Sequence, residues 1–202
     1  MKHDFSRILG RVCHWAWATN NSKALESLRP DQIACKKWLV HEILKFGGNK
    51  FDRVAVLGSW NSILLYELLS DNAEITDWHF YDMDTQCHQD RLEYFGQNEL
   101  KASYQTFDLD VTTIFDQPDV CNQYDLIINP SCEHMNDIQY QGKPLYALCS
   151  TNKKLSDGSH INVIEHFEDL AVKNNINRIE YQGKLRLKEW DWERYCTVGY
   201  VE

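Results

Sequence analysis

Nothing in this chain of 202 residues approaches the roughly 20 consecutive apolar residues of a membrane-spanning helix, so no membrane segment is expected. The opening MKHDFSRILGRVCHWAWA interrupts its apolar run with basic residues and has no small-residue cleavage site, which implies an unexported, cytoplasmic protein. Seven cysteines, at 13, 35, 87, 121, 132, 149 and 196, are odd in number and contain no CxxC pair. That argues against a disulfide framework or a zinc ribbon and for reduced thiols. Positive charge is scarce: 30 acidic residues face 21 basic ones, for a formal charge of −9. A phosphate backbone is gripped mainly by Lys and Arg displacing counterions, so nucleic acid is disfavoured as a tight partner and a small-molecule substrate is expected. Low-complexity stretches, internal repeats and linker-like segments are also missing. With 43% hydrophobic and 12% aromatic residues the chain reads as one folded domain over residues 1–202.

What is present falls into two textures. Residues 1–50 read as helices: FSRILGRVCHWAWA is one, and DQIACKKWLVHEILKF is another, with Pro30 in its first turn, Asp31 complementing the dipole and Gly47-Gly48 as its stop. Ile33, Trp38, Leu39, Ile43 and Phe46 are the expected buried stripe. From Arg53 onward, short apolar runs alternate with helix-length segments, the mark of βαβ units and a parallel sheet. The expected strands are RVAVLG (53–58), WHFYD (78–82), SYQTFD (103–108), YDLIIN (124–129) and PLYALCS (144–150). The expected helices are SILLYELLSD, TQCHQDRLEYFGQN and VIEHFEDLAVKNN. The tail breaks the alternation, because RIEYQGKLRLKEW and RYCTVGYV are strand-like runs joined by DWE, a connection too short for a parallel crossover. They predict an antiparallel hairpin.

Ligand chemistry on such sheets gathers at the carboxyl ends of the strands. There the chain places Gly58 in the turn GSWNS with Ser59 and Trp60, Asp82 and Asp84 in YDMD, Asp108 in TFDLD, and Asn129 at the head of NPSCEHM. A glycine lets backbone approach a ligand, and an acid ending the second strand takes ribose hydroxyls.

Five βα units closed by an antiparallel hairpin resemble the Rossmann-like fold of class I S-adenosylmethionine-dependent methyltransferases, with N-terminal helices over 1–50 and the core over 51–202. The segments GSW, DMD, NPSCEHM, STN, HIN, YQGKL and RYCTVGY, together with DQIACKKWLV, are similar to a group of phage and bacterial proteins of this type that have no assigned substrate. The resemblance covers most of residues 28–200; it departs at Pro130, where the group commonly has Thr, and at GSWNS, where the wider family has two or three glycines. It implies a seven-stranded, mostly parallel sheet, S-adenosyl-L-methionine as cofactor, and Gly58, Ser59, Trp60, Asp82, Asp84, Asp108 and Asn129 as cofactor contacts.

Three chemistries can be drawn through NPSCEHM. Asn129-Pro130 resembles the Asn/Asp-Pro-Pro-aromatic motif of amino methyltransferases, without its second proline and aromatic. Cys132 could act as a thiolate nucleophile beside a histidine, as in cytosine C5 methyltransferases. Glu133 and His134, with His160 arriving from the loop after strand five, could do acid-base work or bind the acceptor. The third is favoured, making Asn129, Glu133, His134 and His160 the candidate catalytic residues, with Ser150, Thr151 and Asn152 as neutral hydrogen-bonding groups. No metal site is expected, since Cys132, His134 and His160 lack ligand spacing. The resulting expectation is methyl transfer to a small polar acceptor; the alternative is a non-catalytic module binding a nucleotide or a protein.

Overall fold

The computed structural model describes residues 5–98 and 100–202. The first four residues of the expected helical start lie outside them. Strands β1 (Lys50–Leu57), β2 (Glu74–Asp82), β3 (Ser103–Asp108), β4 (Leu126–Asn129), β5 (Leu145–Thr151), β6 (Arg178–Leu185) and β7 (Arg194–Tyr200) form one seven-stranded sheet of order β3-β2-β1-β4-β5-β7-β6. β1 to β5 are parallel, and β7 inserts antiparallel between β5 and β6. This is the Rossmann-like arrangement expected from the sequence. The link between β6 and β7 is longer than DWE: β6 stops at Leu185. Residues 186–193 fold on themselves instead, with Arg186 Nε donating to the Trp190 carbonyl at 3.2 Å and Trp190 stacked on Trp192 at 3.9 Å.

Seven helices, α1 (Phe5–Ala18), α2 (Ser22–Ser27), α3 (Pro30–Gly47), α4 (Ile63–Ser70), α5 (Thr85–Gln97), α6 (Pro118–Cys121) and α7 (Asp169–Lys173), accompany the sheet among the described residues. Pro30 opens α3 and Gly48, at φ +82°, closes it, as left-handed backbone favours glycine. α3 buries Cys35, Leu39, Val40 and Ile43 together with Lys36; Ile33, Trp38 and Phe46 pack at its half-buried margin.

Because side chains alternate across a strand, each buried strand feeds two cores. Val54, Val56, Leu126, Ile128, Leu145 and Ala147 face the layer of α1, α3, α4 and α5. Ala55, Leu57, Ile127, Tyr146 and Leu148 face the other way. On that second face the one expected helix is largely replaced. VIEHFEDLAVKNN yields only α7, since Ile164 N donates to the Thr151 carbonyl at 3.1 Å and the Glu165 carbonyl accepts from Tyr195 Oη at 2.9 Å, partners a helix would not allow. Aromatic rings cover the sheet there: Tyr81 stacks on Phe107 at 4.6 Å and Tyr140 lies 4.7 Å from Tyr146. Each such ring buried contributes about 1.5–3 kcal/mol, which lets short helices suffice. No helix among the described residues is long and apolar enough to cross a membrane.

Candidate functional site

Strand order reverses between β1 and β4, and a cavity of about 630 Å³ opens at the carboxyl ends of these strands. Gly58, Trp60, Asp82, Glu133, Lys36 and Arg194 are among its lining residues. A larger depression of about 820 Å³ lies at the opposite end, around Lys50 and Glu74 where β1 and β2 begin. We assign the functional site to the first, because there the loops that follow all five parallel strands converge.

The turn after β1 is built around Asp82. Its Oδ2 accepts from Trp60 N at 2.5 Å and its Oδ1 from Asp84 N at 2.8 Å. Arg91, fully buried, donates to the Trp60 carbonyl at 2.5 Å and also meets His88. Trp60 is thereby held at φ +38°, left-handed backbone that costs a non-glycine residue roughly 1–2 kcal/mol. Held this way, the turn buries Ser59 Oγ, Ser62 Oγ and both amide atoms of Asn61 without a hydrogen-bond partner among the described residues. Buried polar atoms are nearly always paired, so four orphans in one turn beside the cavity are a departure from the usual pattern.

Gly58 is required twice over. Its φ is +55°, and a Cβ there would lie 2.5 Å from Met135 Cε. Gly58→Ala is expected to cost about 1–2 kcal/mol in urea unfolding. Adding Met135→Ala should relieve the contact but leave a deficit of about 1 kcal/mol relative to Met135→Ala alone, the part due to backbone.

Asp84 caps α5 by accepting from Gln86 N at 3.0 Å and pairs with Lys23, whose hydrogen bond holds its carboxyl below the ordinary value. It borders the cavity with both oxygens already engaged. Asp108 is opposite Asp82 in the β2–β3 register, yet it is exposed and does not line the cavity. The chain turns just beyond it, so Leu109, Asp110 and Val111 line the wall instead.

After β4, Asn129 is buried and is not among the residues lining the cavity, where its expected contacts would lie. Its Oδ1 accepts from Ser131 N at 3.1 Å and its Nδ2 donates to Tyr140 Oη at 3.2 Å, so it shapes the loop from beneath. Cys132 is 2% exposed, its Sγ directed at the Asn129 carbonyl, and burial pushes its thiol well up, which removes the nucleophile reading. Thr151 and Asn152 are engaged in clasping the start of β7: Thr151 Oγ1 donates to the Glu193 carbonyl at 2.8 Å and Asn152 Oδ1 accepts from Glu193 N at 2.7 Å.

Glu133, His134 and His160 do come together. The imidazole centroids are 4.7 Å apart and nearly perpendicular, and one ligand-type atom from each of the three residues lies within 4.8 Å of the others. His134 Nδ1 meets the Ser159 carbonyl at 3.0 Å, and His160 Nδ1 meets the Lys153 carbonyl at 2.5 Å. A carbonyl can only accept, so each Nδ1 carries hydrogen and each neutral ring presents an Nε2 lone pair.

Two cations on the cavity wall were not singled out from the sequence. Arg194, partly buried at the start of β7, pairs with Glu133 Oε1 and donates to the Pro130 carbonyl. Since β7 is antiparallel, its first residue, opposite Thr151, reaches the rim. Lys36 is 9% exposed, hydrogen-bonded to Gln32 Oε1 at 2.8 Å, with no carboxylate within salt-bridge distance among the described residues. Burial pulls its ammonium down to about 8. The signal for Lys36 was a charge lodged three residues before Leu39 in an otherwise apolar stripe.

No protein-family model matches the chain, and no curated protein sequence does. Solved structures do share its fold. A Leishmania major S-adenosylmethionine-dependent methyltransferase superposes with a TM-score of 0.60 at 10% identity, over 95% of this chain and 82% of that one. The Burkholderia thailandensis 1,6-didemethyltoxoflavin-N1-methyltransferase, solved with 1,6-didemethyltoxoflavin and S-adenosylhomocysteine, gives 0.58 at 6% identity over 100% and 93%. The 16S rRNA methylase ArmA gives 0.55 at 12% identity over 99% and 100%. The fold of this chain is the Rossmann-like methyltransferase fold.

Proposed function

We propose that the protein is an S-adenosylmethionine-dependent methyltransferase acting on a small polar acceptor. The observation that carries the reading is the gathering of the orphaned Ser59, Asn61 and Ser62 atoms, Asp82 and Lys36 around one cavity at the strand-order switch. These donors and acceptors suit an amino-acid nucleoside. Each Asp82 oxygen accepts one backbone bond and retains room for a ribose hydroxyl. The Lys36 ammonium supplies a counter-charge for a carboxylate, and Leu109 and Val111 offer apolar contact for a purine.

When bound, S-adenosylmethionine supplies a methyl group on a positively charged sulfur. The acceptor would meet Glu133, His134 and His160, groups that orient it for transfer. Seven acidic side chains against four basic ones line the cavity, which favours a cationic donor and disfavours a polyanion in the same space. The GSW, DMD and NPSCEHM segments of the phage and bacterial resemblance all border this cavity, which supports a likeness of site as well as of fold. Calorimetric titration with S-adenosylhomocysteine should show one-site binding in the micromolar range. Absence of heat with either S-adenosylhomocysteine or S-adenosylmethionine at millimolar concentration would remove the cofactor.

A further inference from the structure

We infer that Glu133, His134 and His160 form a binding site for a divalent transition-metal cation at the acceptor end of the cavity. The inference rests on the methyl-transfer reading for its purpose, though not for its geometry. Three independent features support it. Ligand-type atoms of the three side chains lie within 4.8 Å of one another, on a wall shared with the cavity. Both imidazoles have Nδ1 fixed by a backbone carbonyl, the outer-shell bond that orients a metal-bound histidine and leaves Nε2 as the ligand atom. Glu133 is 2% exposed, and its Oε2 has no hydrogen-bond partner among the described residues.

Arg194 pairs with Glu133 Oε1, the oxygen that lies 4.0 Å from His134 Nε2, so the carboxylate must swing its unpartnered Oε2 toward the histidines to ligate a cation; ligating carboxylates are themselves commonly hydrogen-bonded in this manner. The arginine also lowers the negative charge the carboxylate can offer, so a weakly ligated hard cation such as Mg²⁺ is disfavoured. Two imidazoles and a carboxylate suit Zn²⁺, Co²⁺, Mn²⁺ or Fe²⁺. Ligand atoms about 3.4 Å apart are needed around a tetrahedral centre with bonds of about 2.1 Å, so atoms now up to 4.8 Å apart must close by as much as about 1.4 Å. His134, whose side chain is 44% exposed, has room to do so.

Three protein ligands leave coordination positions open toward the cavity. An acceptor hydroxyl occupying one would lose its proton more readily, with the proton passing to solvent as the carbon–oxygen bond forms and the methyl–sulfur bond breaks. The site therefore selects an oxygen nucleophile, a hydroxyl or a neighbouring pair of them, as the acceptor class.

The test uses the whole chain after chelator treatment, titrated with Co²⁺ and then Zn²⁺. One equivalent of Co²⁺ should give visible ligand-field bands without strong thiolate charge-transfer absorption, and Zn²⁺ should displace it. His134→Asn and His160→Asn should each weaken binding at least tenfold. Both lie at the rim, so their folding is expected to be intact; Glu133→Gln is avoided because it would strand the partly buried Arg194. No saturable binding, thiolate bands, or equal binding by the double histidine variant would overturn the inference. So would methyl transfer indifferent to chelator, which would assign the histidines to proton transfer without a metal. S-adenosylhomocysteine binding measured on the same metal-free sample separates the two proposals: binding there without Co²⁺ binding sinks the cation alone, and the converse sinks the cofactor alone.

Discussion

Replacing Lys36 with methionine is expected to make the protein more stable and less able to bind the proposed cofactor. Burial holds the Lys36 ammonium at about 8, against about 10.4 for an unperturbed lysine. Below pH 8 folded and unfolded chains are both protonated, and the folded state bears the whole cost of the buried charge. Between about 8 and 10.4 the unfolded chain keeps a proton that the folded chain has released, so this residue's contribution to stability rises with pH. Methionine fills similar volume without the charge. Lys36→Met should therefore gain on the order of 2–3 kcal/mol in urea unfolding at pH 7, a gain that shrinks to near zero by about pH 10.5. Losing the bond to Gln32 subtracts little, because that amide is half-exposed and returns to water. The same change should weaken S-adenosylhomocysteine binding by about 10- to 100-fold, the worth of a charge-assisted contact in a dry site. A pH-independent difference in stability would show that Lys36 is not a buried charge. Unchanged affinity would take it out of the cofactor site.

Asp82→Ala should bring the opposite pairing: lower stability and no measurable cofactor binding. The carboxylate accepts from two backbone groups and, through Trp60 N, helps to hold Trp60 in left-handed backbone. Its removal orphans both donors and frees the strained turn, for a cost of about 2–4 kcal/mol. The GSWNS turn would then relax, and Ser59, Asn61 and Ser62 would lose their alignment along with the ribose acceptor. Asp82→Asn separates the two effects. It keeps one acceptor oxygen and sets an amide against a backbone N–H, so it should fold with a smaller loss yet still bind at least tenfold more weakly. Denaturant melts and calorimetry on both variants check this; full affinity in either would mean that the turn, not the carboxylate, holds the ligand.

The sheet was legible because buried parallel strands write themselves as apolar runs: YDLIIN and PLYALCS contain β4 and nearly all of β5, starting two residues and one residue early, while the edge strand β3 coincides with SYQTFD although none of its residues is buried. Turn chemistry was legible where a residue type has one use, as with Gly58 at positive φ or Asp82 closing β2. Orientation was not. Asn129 occupies the expected strand end, but its short amide finds partners below the loop sooner than in the cavity. Asp108 misses the cavity because the backbone turns immediately after it. Lys36 and Arg194 were passed over for a different reason: a lysine on a helix and an arginine opening a strand normally mark solvent, and only tertiary packing reveals that these are enclosed. The 163–168 stretch has helical periodicity, yet its backbone is committed to the ends of β5 and β7, a long-range choice that no local pattern contains.

Because β6 has no neighbour except β7, the outer edge of the sheet depends on the insertion of β7 between β5 and β6. Arg194 comes with that insertion, and with it the counter-ion that settles Glu133. Loosening the outer hairpin would therefore be felt at the cavity wall, through the Arg194–Glu133 pair.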